Sequence, residues 1–409
     1  MKRGEDCLLF RGGRLLQQYL VDMYAKIEAD RLNFIRYNQN QLRAEVYSKV
    51  VDSMYSGESD AANIGQRVIL PSTFQGSPRN MMQRYQDAMT IVRNIGNPDY
   101  FVTVTTNPDW AEIKRELRPG QTASDRPDIV VRVFKLKLAA LMEDLKTCFG
   151  KLAGIIHVVE FQKRGLPHAH ILMIMEPEYK PRTPEDVDRY VHAEIPNPND
   201  EPDLYQVVTK HNLHGRCGAD RLNAPCMADG KCKRNFPKEF ASTTKIGSDS
   251  YPTYQRRNNG VQCTKRGLVY DNKWVVPYSP YLSRKYDCHI NVEVTSGIKA
   301  VKYLYKYTYK GGDMATVATG NSNENDEIQH FIDSRYVSSM EACWRIFRFD
   351  LFSTSHSITR LSIHLEGQQL ATFHQNDDLR DVVLEVKDTT LTGWFKYNSE
   401  NQDLRVNKL

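Results

Sequence analysis

The sequence has no long hydrophobic run, because its apolar residues nowhere approach the roughly 18 in succession that a membrane-spanning helix requires. Its first residues, MKRGEDCLLFRGG, also lack the apolar core of a secretory signal peptide. We therefore expect neither membrane insertion nor secretion, and an intracellular location. Of the 409 residues, 40% are hydrophobic and 26% are charged, which is typical of a soluble globular protein with two or three domains.

A second absence is the phosphate-binding loop of nucleotide-driven motors. The pattern G-x-x-x-x-G-K-[ST] does not occur in the sequence, so ATP hydrolysis, and with it a helicase activity, is not expected of these residues. A strong charge of either sign is also missing. The formal net charge is only +5, which permits a polyanionic partner such as nucleic acid but does not require one.

Cysteine is scarce as well, with eight residues in the chain, so a disulfide framework is excluded as the basis of the fold. Four soft or borderline ligands nevertheless follow one another closely: His214, Cys217, Cys226 and Cys232. They predict a tetrahedral zinc site that stabilises a segment with few core residues. Their spacing differs from the paired C-x-x-C of common zinc modules, so unliganded thiols remain the alternative. The remaining cysteines are expected in hydrophobic cores: Cys7, Cys148, Cys263, Cys288 and Cys343.

The order of predicted elements, in which a strand and a helix precede a hairpin, indicates an α+β fold with an antiparallel sheet. Strands are predicted at 101–106, 154–161, 168–175, 286–294 and 357–365, and helices at 14–55, 81–96, 130–149 and 335–350. A proline-rich and then cysteine-bearing stretch interrupts this pattern. We therefore divide the chain into a helical N-terminal region (1–98), a first core part (99–175), an insertion (176–285), and a second core part with a C-terminal tail (286–409).

The hairpin EFQKRGLPHAH (160–170) carries a candidate metal site. Residues two apart on a strand point to the same side, so His168 and His170 can bind one cation together. A five-residue turn in the simplest register would place Gln162 opposite His168 and Glu160 opposite His170. We therefore expect Gln162 as third ligand, with Glu160 as the alternative, and Mg²⁺ or Mn²⁺ as the metal. The competing interpretation is a pair of solvent-facing histidines without a ligand.

A run of tyrosine and lysine, KYLYKYTYK (302–310), is the second candidate site. On a helix, Tyr303 and Tyr307 lie one turn apart on one face, where paired phenols beside a metal could attack a phosphodiester. The same letters also suit a strand, and on a helix Tyr305 and Tyr309 form an equally good pair, so spacing alone leaves these alternatives open. Five basic residues are candidates for DNA contacts: Lys163, Arg164, Lys302, Lys306 and Lys310.

Together these strings resemble the N-terminal Rep endonuclease region of Helitron rolling-circle transposases, which is also called the Helitron helicase-like domain. The most specific features are EFQKRGLPHAH and the later K-Y-x-x-K-Y-x-x-K pattern. The likeness covers most of the chain and includes GRLLQQYLVDMYAKIEADRLNFIRYNQNQLR, RPDIVVRVFKLKL, CMADGKCKRNFPKEF, RKYDCHINVEV and EACWRIFRF. The resemblance implies an HUH endonuclease fold, a metal bound by His168 and His170, and catalysis by Tyr303 and Tyr307.

The implied function is a metal-dependent, single-stranded DNA endonuclease and strand transferase that acts at transposon ends in the nucleus through a 5′-phosphotyrosine intermediate. Longer family members continue into a Pif1-like helicase, so we expect this chain to be a fragment or an inactive copy. A catalytically inactive nucleic-acid-binding fragment is the alternative function. Relatives often have F-T-C-N where this sequence has VTVTTNPDW (102–110), a segment that we expect to lie away from the metal site.

Overall fold

The computed structural model describes residues 7–39, 68–161, 165–247, 251–295, 326–333, 335–366 and 388–401. The chain separates into two compact units, Met1–Ser355 and His356–Leu409. None of the helices in the described ranges is long and apolar enough to cross a membrane. The predicted combination of helices with an antiparallel sheet is confirmed.

The first unit contains nine of the described α-helices. They are α1 (Arg14–Tyr37), α2 (Pro78–Ile95), α3 (Ala111–Glu116), α4 (Pro127–Leu145), α5 (Pro184–Tyr190), α6 (Pro202–His211), α7 (Pro280–Tyr286), α8 (Glu327–Asp333) and α9 (Ser339–Ile346). Proline at the first position begins several of them, because it lacks the N–H that would go unpaired there. In α2, the Ser77 hydroxyl also accepts a hydrogen bond from the Asn80 N–H at 3.0 Å, which defines where the helix begins.

A five-stranded antiparallel sheet lies at the centre of this unit, in the order β8, β1, β3, β2, β9. Its strands are β1 (Tyr100–Thr105), β2 (Leu152–Phe161), β3 (Pro167–Met175), β8 (Ile290–Val294) and β9 (Phe352–Thr354). Two small hairpins are formed by β4 (Met227–Ala228) with β5 (Lys231–Cys232), and by β6 (Cys263–Lys265) with β7 (Leu268–Tyr270). The hairpin of β2 and β3 joins adjacent strands, whereas β8 and β9 come from much later in the sequence.

One face of the sheet packs on the main hydrophobic core. Alternate residues such as Val102, Val104 and Ile171 point into this core, where they meet Phe134 of α4 and Trp344 of α9. The two aromatic rings lie 6.1 Å apart between centroids. Because side chains alternate between the two faces of the strands, the opposite face packs against α2 and carries the polar side chains of the candidate site.

The insertion has a hydrophobic core of its own, which corrects the expectation of a segment with few core residues. Leu204 and Val208 of α6 pack there with Trp274, Val275 and Tyr278. The sequence pattern hid this core because most of its residues come from irregular segments, in which no periodicity marks the buried positions.

Several predicted elements need correction. The strand predicted at 357–365 is absent; β9 lies earlier, at Phe352–Thr354, where it pairs with β2. The strand predicted at 286–294 begins only at Ile290, because α7 extends to Tyr286 and Asp287 ends it in the left-handed conformation (φ 41°). The helix predicted at 335–350 is shorter, Ser339–Ile346. Of the five expected core cysteines, Cys263, Cys288 and Cys343 are buried, while the other two are partly exposed.

The second unit contains α10 (Thr390–Glu400) among its described residues. The Thr389 side chain accepts a hydrogen bond from the Thr392 N–H at the start of this helix. The helix predicted at 14–55 extends at least to Tyr37 as α1, and its later part, from 40 onwards, lies outside the described residues.

Gly150, just before β2, is a position where the backbone requires glycine. Its φ is +100°, and an added Cβ would lie 2.7 Å from Cγ of Tyr179. We expect Gly150→Ala to lower the free energy of unfolding by about 2–4 kcal/mol, because backbone strain and overlap add together. Gly120→Ala is the matched control, since Gly120 has φ +81° but nothing within 4 Å of an added Cβ, and it should cost about 1 kcal/mol. If chemical denaturation shows the same loss of unfolding free energy for both variants, the proposed overlap with Tyr179 is contradicted.

Candidate functional site

The register of the β2–β3 hairpin differs from the predicted one. Glu160 lies opposite His168, and Val158 lies opposite His170. The prediction assumed that β3 begins at His168, but the ladder already includes Pro167, whose carbonyl accepts a hydrogen bond from the Thr106 hydroxyl of the neighbouring segment at 2.6 Å. The paired residues of β2 therefore end at Phe161, and those of β3 begin at Pro167. Gln162, expected opposite His168, lies outside the described residues.

His168 and His170 point to the same side of β3, as their spacing predicts. We call this side the histidine face; it carries these two side chains together with Thr103 and Thr105 of β1 and Glu160 of β2. Thr105 Oγ1 lies 2.8 Å from His168 Nδ1, and Thr103 Oγ1 lies 3.1 Å from His170 Nδ1. When Nδ1 carries the proton and donates to the hydroxyl, Nε2 of each ring keeps its lone pair for a cation.

Each histidine has a distinct environment. His168 is only 5% exposed, and burial, together with the nearby His170 and His289, lowers the pKa of His168 to about 3. It is therefore neutral at physiological pH, as a metal ligand must be. His170 stacks on Phe101 with ring centroids 5.7 Å apart, and its Nε2 lies 3.3 Å from Glu160 Oε2. Two imidazoles and a carboxylate thus lie close together on one face.

The polar residues continue across the sheet in a row that sequence reasoning missed. The Thr105 N–H donates to the His289 carbonyl at 3.0 Å, so His289, Thr105, His168 and Glu160 lie side by side on four neighbouring strands or their ends. His289 Nδ1 donates to the His211 carbonyl at 2.8 Å, because a carbonyl can only accept. That bond leaves the lone pair on Nε2.

The segment expected to lie away from the candidate metal site instead lies beside it. Strand β1 runs beside β3, and both of its histidine contacts come from the VTVTT stretch. The spacing of Thr103 and Thr105 could have predicted a polar face on this strand, since residues two apart on a strand place both hydroxyls on one face. What the sequence could not supply was the pairing partner of that strand.

Within the described part of the chain, one group of three or more His, Cys, Asp or Glu brings its ligand atoms within 4.8 Å of one another. It is the predicted set of His214, Cys217, Cys226 and Cys232. His214 Nε2 lies 3.8 Å from Cys217 Sγ and 3.6 Å from Cys232 Sγ. In a tetrahedral zinc site with Zn–N near 2.1 Å and Zn–S near 2.3 Å, ligand atoms lie about 3.6–3.8 Å apart. The cluster could therefore bind a metal such as zinc.

Local sequence explains how this cluster forms. Asp229 and Gly230, both with positive φ, make the two-residue turn of the β4–β5 hairpin, which holds Cys226 near Cys232. His214 stacks on Phe236, with ring centroids 4.2 Å apart. The His214 N–H also donates to the Trp274 carbonyl at 2.8 Å, which ties the ligand loop to the core of the insertion.

The titrating groups of the cluster suit a metal. Burial and the charges of Arg234 and Lys238 lower the pKa of His214 to about 4, so the ring is neutral. Burial opposes ionisation of Cys232, but the N–H groups of Phe236 and Arg234 and the neighbouring thiols outweigh it and hold the pKa of Cys232 below its usual value. Burial and the thiols of Cys226 and Cys232 raise the pKa of Cys217 to about 12.

The remaining predicted site residues lie outside the described residues, so the structure places none of them. They are Gln162, Lys163, Arg164, Lys302, Tyr303, Lys306, Tyr307 and Lys310, and the alternative tyrosines Tyr305 and Tyr309 lie outside as well.

Comparison with family models gives one match. Residues 1–173 match the model described as the Helitron helicase-like domain at the N-terminus. The matched range ends inside β3, so it includes Glu160, His168 and His170. A comparison with curated proteins finds no match.

The threonine contacts of β1 predict a measurable effect on metal binding. Thr105→Val removes the hydroxyl that contacts His168 Nδ1 with little change of shape, and Thr103→Val does the same at His170. We expect each change to weaken Mn²⁺ binding by about 10-fold to 100-fold, the usual effect of losing a partner that orients a ligand. Thr90→Val, on the exposed side of α2, is the control and should bind Mn²⁺ like the unchanged protein in calorimetric titration. Unchanged affinity in both strand variants would contradict a role for these hydroxyls.

Proposed function

Because residues 1–173 match the model of the Helitron helicase-like N-terminal domain, we propose that this chain is a metal-dependent endonuclease and strand transferase for single-stranded DNA in a rolling-circle transposon. The observation that best supports the proposal is the histidine face. Two imidazoles two residues apart, each with Nδ1 against a threonine hydroxyl, lie next to a carboxylate. Such a donor set suits a divalent cation that keeps open positions for phosphate oxygens.

We propose His168, His170 and Glu160 as the residues that would hold Mg²⁺ or Mn²⁺. The observed register favours Glu160 over Gln162 as third ligand, because Glu160 lies opposite His168 and its carboxylate is 3.3 Å from His170 Nε2. The bound metal would polarise the scissile phosphate. The protein's own contribution is to hold the ring of His168 neutral and to orient both rings before DNA arrives.

Tyr303 and Tyr307 are the proposed nucleophiles, on the strength of the family resemblance. The phenol loses its proton, its oxygen forms a bond to phosphorus, and the bond to the 3′ oxygen breaks. The products are a 5′-phosphotyrosine and a free 3′-hydroxyl. Because the ester bond is retained, a 3′-hydroxyl can reverse the step without ATP, and a second tyrosine allows a second strand to be held.

The proposed architecture follows the family. We propose that the sheet is an HUH-type core formed by 99–175 and 286–409, with 1–98 as a helical N-terminal region and 176–285 as an insertion. The proposed partners are single-stranded DNA at transposon ends and a Pif1-like helicase, and the proposed location is the nucleus. Lys163, Arg164, Lys302, Lys306 and Lys310 remain candidates for DNA contacts.

Incubation with labelled single-stranded oligonucleotides and Mn²⁺, followed by a denaturing gel, tests the proposal. The protein should form a covalent adduct, and His168→Ala or His170→Ala should reduce it below detection because an imidazole is lost from the metal shell. Tyr303→Phe and Tyr307→Phe should each reduce adduct formation or strand transfer, and the double change should eliminate the adduct. Tyr305→Phe and Tyr309→Phe are matched controls that should remain active.

Three outcomes would contradict parts of this assignment. Full activity of either histidine variant would exclude the metal site. An adduct mapped to Tyr305 or Tyr309 would exclude the assigned tyrosine pair. DNA binding with no adduct under any condition would favour the alternative function, a catalytically inactive nucleic-acid-binding fragment.

For the insertion we propose a structural zinc ion bound by His214, Cys217, Cys226 and Cys232. Protein purified without chelator should contain about one zinc per chain, because such sites bind zinc tightly. Cys232→Ala should lose the metal and lower the unfolding temperature. Cys263→Ala, which changes a buried cysteine of the same core outside the cluster, should keep it. Absence of zinc from the unchanged protein in elemental analysis would leave these cysteines as ordinary thiols.

A further inference from the structure

One arginine lies beside the β9 edge of the sheet, and a second lies near the beginning of α2. The guanidinium of Arg84, on α2, lies over the ring of Phe352 with its carbon 5.5 Å from the ring centroid. Phe352 lies opposite Val158, and Val158 lies opposite His170. Opposed residues share a face, so the ring of Phe352 is on the histidine face, about 10 Å from His170 across two strand spacings.

Arg345, on α9, reaches towards the beginning of α2. Its Nη2 lies 3.5 Å from the place where a Cβ on Gly76, just before that helix, would be. Its side chain is 9% exposed, and its Nε is buried without a hydrogen-bond partner. One donor of this guanidinium is therefore unsatisfied in the free protein, which is costly for a buried polar group.

Arg345 has an anionic partner, whereas Arg84 has none among the described residues. Glu341 accepts hydrogen bonds from both Arg345, at 3.2 Å, and Arg335, and Glu28 also pairs with Arg335. The carboxylates of Glu341 and Glu28 thus pair with Arg345 and Arg335. Arg84 makes no hydrogen bond or ion pair with the described residues beyond its contact with Phe352, and the nearby Asp350 is exposed.

Burial and the charge of Arg345 lower the pKa of Arg84 to about 10, although Asp350 acts in the opposite direction. Arg84 nevertheless remains cationic at neutral pH. A partly buried cation beside another cation and without a bound anion destabilises the free protein. Such an arrangement is typical of a site that a ligand completes.

We propose that Arg84 and Arg345 bind a backbone phosphate of the single-stranded DNA whose scissile phosphate lies at His168 and His170. This inference rests on the proposed function. Guanidinium groups match phosphate oxygens with paired hydrogen bonds, and two of them would share one anion. Arg84 and Phe352 lie on the same face as the histidines, so a DNA strand that crosses the sheet from His168 and His170 towards β9 would reach Arg84.

The test uses the full chain in EDTA, where no cleavage occurs, and measures binding of a fluorescent single-stranded oligonucleotide by anisotropy. Arg84→Gln should weaken binding about 10-fold and reduce the slope of log affinity against log salt by about 0.7, the value for one lost phosphate contact. Arg84→Lys should have an intermediate affinity for the oligonucleotide, because lysine keeps the positive charge but lacks the paired N–H donors of a guanidinium. Arg93→Gln removes an exposed positive charge from the same helix and should bind like the unchanged protein.

Thermal unfolding separates this role from a structural one. Arg84→Gln should leave the unfolding temperature of the free protein unchanged or higher, since it removes a cation beside Arg345. Inorganic phosphate should raise the unfolding temperature of the unchanged protein more than that of Arg84→Gln. A lower unfolding temperature in Arg84→Gln, with oligonucleotide affinity intact, would overturn the inference.

The inference and the proposed function can fail separately. A covalent adduct that forms normally in Arg84→Gln, with unchanged oligonucleotide affinity, would overturn the phosphate site alone. If the unchanged protein forms no adduct but its oligonucleotide binding depends on Arg84, the phosphate site stands and the endonuclease proposal fails.

Discussion

Strand β3 is hydrogen-bonded along its length to β1 on one side and to β2 on the other, and the candidate site depends on this double pairing. The register with β1 brings a threonine hydroxyl to each imidazole, and the register with β2 brings Glu160 beside them. A slip of one residue would turn both histidines into the apolar core formed with α4. Burial of Ile171 and Met173 on that side makes such a slip costly, so the packing of the core also fixes the position of the polar groups.

The parts of the site that sequence reasoning found are those specified by local patterns. Alternation on β3 predicts that His168 and His170 share a face, and four clustered ligands predict the arrangement around His214. Thr103, Thr105 and His289 escaped prediction because their role arises only when β1 and β8 pair with β3, and sequence spacing does not reveal strand neighbours. The predicted register of the hairpin was wrong for a smaller reason, since Pro167 joins the ladder and the partner of His168 is Glu160 instead of Gln162. The core of the insertion was missed because Trp274 and Tyr278 lie in irregular segments.

The insertion also contacts the row of polar residues on the histidine face. Its helix α6 ends at His211, whose carbonyl accepts the Nδ1 proton of His289 at the end of the polar row. His211 Nε2 in turn lies 3.1 Å from Oδ1 of Asp287, the residue in the left-handed conformation that ends α7. Only two residues separate His211 from His214. The orientation of a histidine beside the candidate active site thus depends on the same stretch of chain that supplies a ligand to the cysteine cluster.

The sheet order also has a consequence for the stretch that matches the family model. That stretch contains β1, β2 and most of β3 but neither β8 nor β9, which flank these three strands on the two sides. Expressed alone, residues 1–173 would leave the outer backbone groups of β1 and β2 unpaired over most of their length, with apolar side chains beside them. Unpaired strand edges of this kind form hydrogen bonds with strands of other molecules and promote aggregation. Solubility of the recognisable segment is therefore supplied by sequence that lies far downstream of it.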